Sequence, residues 1–140
     1  MLSSNRIKKL LEVKMAEKMG IYKCEICGNI VEVLHAGMGV LVCCGQNMTL
    51  LPEKVTEQGN EKHLPVIEQN GNEYHIKVGE IQHPMLDEHH IEWIDAVTEK
   101  EVLRKFLKAG EVPEMVFSTK YKLIKVREHC NIHGLWAEII

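Results

Sequence analysis

Cysteine and histidine side chains occur in this sequence at spacings that suit metal binding. Cys130 and His133 lie three residues apart, so a thiolate and an imidazole can reach one metal ion from a single tight loop. His63, His83 and His89 supply three more imidazoles. Four histidines and one cysteine exceed the four tetrahedral ligands of a structural zinc, whereas iron accepts four nitrogens, an axial sulfur and an open sixth position. The set therefore predicts a redox metal that performs chemistry.

A second group of cysteines lies earlier in the chain and could hold a tetrahedral metal. Cys24 and Cys27 form a Cys-x-x-Cys knuckle, in which Gly28 lets backbone N–H groups turn toward the sulfurs. Cys43 and Cys44 are adjacent, and neighbouring side chains diverge in most conformations, so both can bind one metal only from a strained turn. We expect that strain to distort the tetrahedron. Four cysteines by themselves favour zinc over iron.

Composition restricts the class of protein. Five cysteines, divided four plus one, fit a reducing compartment in which thiolates bind metals instead of forming disulfides. The net charge of −3 argues against nucleic acid as a partner, and any attraction for a small anion must be local to a site. The sequence has no long apolar run and no signal-peptide pattern, so we expect a cytoplasmic protein without a membrane segment.

The first residues predict a short amphipathic helix. Ser3 to Asn5 could cap it, and an apolar stripe at helical spacing continues to about Lys18, which leaves residues 1–19 as an N-terminal extension. This helix could be a surface or dimer-contact element. Alternatively, Met15 is the native start, because Leu11 to Lys14 can be encoded by a purine-rich ribosome-binding sequence. N-terminal sequencing of the native protein distinguishes the two.

The rest of the chain predicts an all-β protein in two parts. Residues 20–51 contain short apolar runs between glycine turns, too few to bury a core, so a metal is expected to stabilise them. Residues 52–60 are polar and predict a linker. Residues 61–140 contain seven short strand patterns, with a hairpin signal at Asn70-Gly71-Asn72, which predicts an immunoglobulin-like antiparallel β-sandwich. The predicted strands are 64–68, 74–78, 91–98, 102–107, 115–117, 121–126 and 135–140.

These motifs, in this order, resemble the desulfoferrodoxin family, the two-iron form of superoxide reductase, from about Gly20 to Ile140. The most specific elements are the pair Cys43-Cys44, the segment Glu61-Lys62-His63, the segment His83-Pro84-Met85 with His89, and Cys130-Asn131-Ile132-His133. The resemblance implies a desulforedoxin-like domain before the sandwich and two iron ions per chain. One is Fe(Cys)4 on Cys24, Cys27, Cys43 and Cys44, and the other is Fe(His)4(Cys) on His63, His83, His89, His133 and Cys130.

The resemblance also implies roles for residues that do not bind the metal permanently. Lys62 would attract the superoxide anion, and Glu61 would occupy the sixth position of the oxidised iron. A solvated charged pair is the alternative for both. The backbone N–H groups of Asn131 and Ile132 are expected to donate to the Cys130 sulfur.

Other side chains near the motifs are expected to be structural. Ile91 and Trp93, on one strand face, should form an apolar wall around the metal. His75 should face solvent, and His90 should have a shielding or surface role.

The function implied is the one-electron reduction of superoxide to hydrogen peroxide, with re-reduction by rubredoxin or a similar donor, in a homodimer. Two other functions stay open. One is a zinc-ribbon-like binding or regulatory module, which would be colourless when purified. The other is a pure electron-transfer iron protein, whose closed iron would bind neither azide nor cyanide.

Overall fold

The computed structural model describes residues 16–57 and 62–140, which form two compact units, one ending at Leu51 and one running from Pro52 to Ile140. All regular structure in the described residues is β-strand, and this part of the chain has no helix that could cross a membrane. The predicted N-terminal helix lies outside the described residues except for its last part, where Lys18 and Met19 form a turn.

The first unit is a three-stranded antiparallel sheet with an additional two-stranded hairpin. The sheet has the order β2-β1-β5, and β3 pairs with β4. Its buried apolar side chains among the described residues are few, as expected for a segment that needs a metal to be stable. The strands are β1 (Ile21–Lys23), β2 (Ile30–Glu32), β3 (Val42–Cys43), β4 (Gln46–Asn47) and β5 (Thr49–Leu50).

The second unit is a sandwich of two antiparallel sheets. One has the order β10-β7-β6 and the other β12-β11-β8-β9. Ile76 and Phe117 of the first sheet pack with Ile94 and Val126 of the second in one apolar core. The strands are β6 (Pro65–Asn70), β7 (Glu73–Val78), β8 (Ile91–Thr98), β9 (Val102–Phe106), β10 (Glu114–Ser118), β11 (Leu123–Cys130) and β12 (Gly134–Ile139).

The immunoglobulin-like sandwich and its seven strands confirm the sequence prediction, and so does the hairpin, in which Asn70 pairs with Glu73 across Gly71 at φ 63°. The largest difference is at β11, which was predicted to end at Val126 and continues to Cys130. The added residues are polar but buried, and Arg127 is satisfied by an ion pair with Asp95, Nε to Oδ1 at 2.9 Å.

A β-bulge between β8 and β11 changes which side chains share a face. Cys130 pairs with Ile91, whereas His129 pairs with Trp93, so Glu92 is an extra residue on β8. Ile91 therefore joins Cys130 in the core, as predicted. Trp93 does not: it stacks on His129, with ring centroids 4.5 Å apart. The prediction that Trp93 lies on the same wall as Ile91 is wrong because it assumed regular alternation.

Candidate metal centres

One end of the sandwich holds all five predicted ligands of the second site. His63 lies just before β6, His83 in the β7–β8 loop, and His89 just before β8. Cys130 ends β11, and His133 lies in the turn to β12. The starts of β6, β8 and β12 adjoin the ends of β7 and β11 in the antiparallel registers, so loops that are far apart in sequence meet here.

The five potential donor atoms lie within 4.8 Å of one another. His63 Nε2 is 3.1 Å from His133 Nδ1, and that Nδ1 is 3.9 Å from Cys130 Sγ. Two nitrogens at right angles around a metal, with bonds of ~2.1 Å, would be ~3.0 Å apart. The separation of His63 and His133 therefore fits shared coordination by one ion. Cys130 and His83 are fully buried and His133 is exposed, so the cluster opens to solvent on the His133 side.

In two of the histidines, one ring nitrogen is engaged by a neighbouring group. The other nitrogen is then the atom available to a metal. His63 Nδ1 contacts Glu57 Oε2, and His83 Nδ1 donates to the carbonyl of Pro84 at 2.7 Å, which leaves both Nε2 atoms for the cluster. The Nε2 atoms of His83 and His89 are buried without a hydrogen-bond partner. A bound metal would satisfy these orphaned atoms, so the residues fit such an ion.

Burial and mutual repulsion keep the imidazoles in their metal-binding form. Burial lowers the pKa of His83 to about 4, although the Pro84 carbonyl acts in the opposite direction. Burial first, then the neighbouring His133 and His63, lowers the pKa of His89. Burial, His63 and the charge of Lys54 lower the pKa of His133. Neutral imidazoles have a lone pair to donate, so these shifts favour metal binding near neutral pH.

The Cys130 sulfur lies in an apolar environment with two backbone donors. Burial raises the pKa of the Cys130 thiol, and the backbone N–H groups of His133 and Ile132 partly offset this by donating to the sulfur. The prediction for Ile132 is confirmed, whereas that for Asn131 is wrong. The N–H of Asn131 donates to the His90 carbonyl at 3.1 Å because the bulge brings that carbonyl next to the turn.

Asn131 instead ties the turn of Cys130 to the loop of His89. Its Oδ1 accepts from the His90 N–H at 2.9 Å, and its Nδ2 donates to the Glu88 carbonyl at 3.2 Å. With the bond from its backbone N–H, Asn131 makes three hydrogen bonds, and their partners, Glu88 and His90, flank His89 in the sequence. Asn131 therefore fixes the loop of His89 relative to the turn of Cys130.

Glu57 holds His63 in a way that the sequence did not reveal. Its Oε1 accepts from the His63 backbone N–H at 3.0 Å, and its Oε2 contacts His63 Nδ1. Burial opposes ionisation of this carboxyl, but the two contacts with His63 prevail and its pKa is lowered. A carboxylate on the far nitrogen of a metal-binding imidazole orients the ring and strengthens the ligand. Residues 52–60 are polar and predict only a linker, so no signal marked Glu57.

Of the two predicted catalytic residues, the structure describes Lys62 but not Glu61. Lys62 lies next to His63, and its charge contributes to the lowered pKa of His89, so it is close to the cluster. Glu61 lies outside the described residues. Neither His75, paired at 3.4 Å with Glu114, nor His90, whose Nδ1 donates to the Leu86 carbonyl at 3.0 Å, joins the cluster.

The four cysteines of the first unit converge in the same way. Cys43 Sγ lies 3.6 Å from Cys27 Sγ and 3.9 Å from Cys44 Sγ. A tetrahedron with metal–sulfur bonds of ~2.3 Å has edges of ~3.8 Å, so these separations fit one ion. Cys44 has φ 52°, which confirms the predicted strained turn at the adjacent cysteines, and Gly28 has φ 83° at the knuckle.

The thiols of this cluster do not ionise equally. Backbone N–H groups of Cys27 and Ile26 lower the pKa of Cys24 to about 6. Hydrogen bonds with Cys27 and Cys24 raise the pKa of Cys44 to about 12, because its protonated thiol donates them, and repulsion from the Cys24 thiolate adds to the shift. A bound cation would reverse that repulsion, so the donor set is one that a metal completes.

The comparisons with known proteins cover both units. The family model described as desulfoferrodoxin, N-terminal domain, matches residues 16–51, and that described as desulfoferrodoxin matches residues 55–139. A desulfoferrodoxin homolog of Archaeoglobus fulgidus is 52% identical over 87% of this chain and 98% of the relative. The desulfoferrodoxin of Nitratidesulfovibrio vulgaris is 50% identical over 87% of this chain and 97% of its own.

A solved structure agrees with these sequence matches. The superoxide reductase from Treponema pallidum superimposes with a TM-score of 0.70 at 26% identity, over 88% of this chain and 99% of that one.

Proposed function

The chain belongs to the desulfoferrodoxin family, and from that premise we propose that it is a superoxide reductase, which converts superoxide, one electron and two protons into hydrogen peroxide. It has two iron ions per chain, because the four-cysteine and the five-ligand sets match the two iron centres of that family. The observation that carries the proposal is the convergence of four imidazoles and one thiol within 4.8 Å, at an end of the sandwich that reaches solvent.

The proposed ligands of the first iron are Cys24, Cys27, Cys43 and Cys44, and those of the second are His63, His83, His89, Cys130 and His133. When bound, the second iron supplies the electron and an open position for a small anion. The side chains around it do the rest. The thiolate of Cys130 donates charge from the buried side, and its two backbone donors moderate that donation.

Lys62 is proposed to draw the anion toward the site and to help position a water molecule that donates a proton. Its support is the proximity of its charge to His89. A cation at the mouth of a site raises the local concentration of an anion even when the whole molecule is net negative. Glu61, its sequence neighbour, is proposed to cover the open position after the product has left.

The finer assignments belong to the same proposal. A rubredoxin-like protein re-reduces the iron, the chain acts as a homodimer, and the protein works in the cytoplasm. We also propose the domain division 20–51 and 61–140, with 52–60 between them and 1–19 as an extension. Residues 53–57 of the intervening segment are not isolated: Lys54, for example, pairs with β12 at Trp136.

The direct test is to mix the reduced, iron-loaded protein with superoxide without oxygen and to measure both products. A reductase yields one hydrogen peroxide per superoxide and no dioxygen, whereas a dismutase releases dioxygen from half of the superoxide. A colourless protein that contains zinc at both sites would instead support the binding module. Iron that binds neither azide nor cyanide would support a pure electron-transfer protein. Either result would reject the proposal.

A further inference from the structure

Lys54 is held beside the second site by its backbone. Its N–H donates to the Leu135 carbonyl at 3.0 Å, and its carbonyl accepts from the Ala137 N–H at 2.9 Å. These bonds form a parallel bridge with Trp136 at the start of β12, next to the turn that carries His133. The position of Lys54 is thus set by main-chain pairing and is independent of its side chain.

The ammonium group of Lys54 is also fixed, although the residue is exposed. Its Nζ donates to the His133 carbonyl at 2.8 Å and lies 5.0 Å from the centroid of the Trp136 ring. Trp136 Nε1 donates to the same carbonyl at 3.2 Å. A cation over an aromatic face and against a carbonyl oxygen is attracted by both, so the two contacts favour this position of the charge.

The charge of Lys54 contacts one of the five proposed ligands directly and lies near a second one through Trp136. It binds the carbonyl of His133, the ligand at the solvent side, and the Trp136 indole beneath it stacks on the His63 ring at 4.7 Å and 14°. The field of Lys54 reaches the imidazole of His133. Lys62 acts on His89, so the two lysines lie near different ligands.

We propose that Lys54 is a second anion-guiding cation of this site, held in place by Trp136 and the His133 carbonyl. The proposal rests on the proposed function, since it concerns small monovalent anions that approach the same metal. Lys54 touches neither the metal nor the anion, so it acts through its electrostatic field alone. The chain carries a net charge of −3, so local cations must supply any attraction.

The experiment compares Lys54→Met, which keeps an unbranched stem without the charge, with Lys54→Arg, which keeps the charge. Lys122→Met is the matched control, because it removes an exposed lysine just before β11, at the opposite end of that strand from Cys130. All are iron-loaded. The measurements are azide affinity of the oxidised protein and the superoxide rate of the reduced protein, from low ionic strength to 1 M salt. Binding of nitric oxide, a neutral ligand, reports on packing.

We expect Lys54→Met to lower the azide affinity and the superoxide rate about two- to fivefold at low ionic strength. The difference should disappear near 1 M salt, where the Debye length is about 3 Å. Lys54→Arg and Lys122→Met should behave like the wild type, and nitric oxide binding should not change in any variant.

Two results would overturn the inference. In the first, Lys54→Met keeps the azide affinity and salt slope of the wild type, which makes Lys54 a solvated charge. In the second, azide and nitric oxide binding weaken equally, which assigns Lys54 a packing role. Failure of the proposed function has a different signature: azide binding still depends on Lys54, but superoxide yields no hydrogen peroxide.

Discussion

The pair of Glu57 and His63 shows how single residues prepare the site. The carboxylate occupies Nδ1 of the ring and the backbone N–H of the same residue, so the imidazole can present only Nε2 to the cluster. Pro84 does the same for His83 through a carbonyl oxygen. The ligand atoms are therefore selected by contacts outside the cluster, before any metal binds.

Replacement of Glu57 tests this preparation. Glu57→Gln keeps an oxygen that can accept a hydrogen bond but removes the charge, so it should weaken iron binding at the second site about 10–100-fold. Competition with a chelator, followed by the loss of the site's absorption, measures this. Glu53→Gln is the control, since Glu53 lies on the same segment but pairs with Lys125. Equal affinity in the two variants would show that Glu57 does not support the ligand.

Cys130 is the only sulfur among the five ligands, so its replacement separates the two centres. Cys130→Ser should abolish formation of hydrogen peroxide from superoxide, because a neutral hydroxyl is a poor donor to the metal at neutral pH. The absorption of the four-cysteine iron should persist, since all its ligands belong to the other unit. Turnover near the wild-type rate in this variant would show that the thiolate is dispensable.

At the scale of elements, strand ends determine which ligands meet. The five ligands come from loops and strand ends at one end of the sandwich, and both sheets contribute. The first unit contributes none of them, because its own four sulfurs are gathered by the Cys24–Cys27 knuckle and the Cys43–Cys44 turn.

The separation of the two ligand sets predicts the effect of a change in the first unit. Cys24→Ser should abolish the visible absorption of the four-cysteine iron and leave the reaction of the reduced second site with superoxide near the wild-type rate. Rapid-mixing measurements on the variant and the wild type, both chemically reduced, provide the comparison. A loss of both properties would show that the second unit needs the first for folding or for its electrons.

Strand patterns and ligand motifs could be predicted from the sequence because both depend on local spacing. The bulge at Ile91 to Trp93 could not, since it depends on how β8 pairs with β11, and alternation within one strand contains no information on register. Asn131, Lys54 and Glu57 were missed or misassigned for a related reason. The partners of Asn131 and Lys54 are distant in sequence, and Lys54 and Glu57 lie in a polar segment that has no strand or motif pattern.

At the scale of the whole molecule, metal removal should make stability depend on pH. The pKa of His83 is about 4 in the folded chain against an ordinary value of 6.5, so between these values only the unfolded chain binds the proton. The free energy of unfolding therefore keeps its full value above pH 6.5 and decreases as the pH falls toward 4. The loss is of the order of 3 kcal/mol. His89 and His133 act in the same direction, and the buried carboxyl of Glu128, with its raised pKa, acts in the opposite one.

Urea unfolding of the metal-free protein between pH 7.5 and 4.5 measures this dependence. His83→Gln should flatten the curve, because the replacement does not titrate. A His83→Gln curve with the same slope as the wild type would contradict the assignment of His83.

The different spacing of the two ligand sets has a consequence for how the protein acquires its metals during synthesis. The four sulfurs lie within residues 24–44, whereas the second set extends from residue 63 to residue 133. Closing the longer loop costs about 1 kcal/mol more chain entropy, and it can happen only after His133 has been made. The four cysteines of the nascent chain can thus bind any available thiophilic ion. The histidine site binds its ion only after the sandwich has folded. Cells grown with excess zinc should yield protein with zinc at the cysteines and iron at the histidines, which site-resolved metal analysis would reveal; zinc first at the histidines would refute this order.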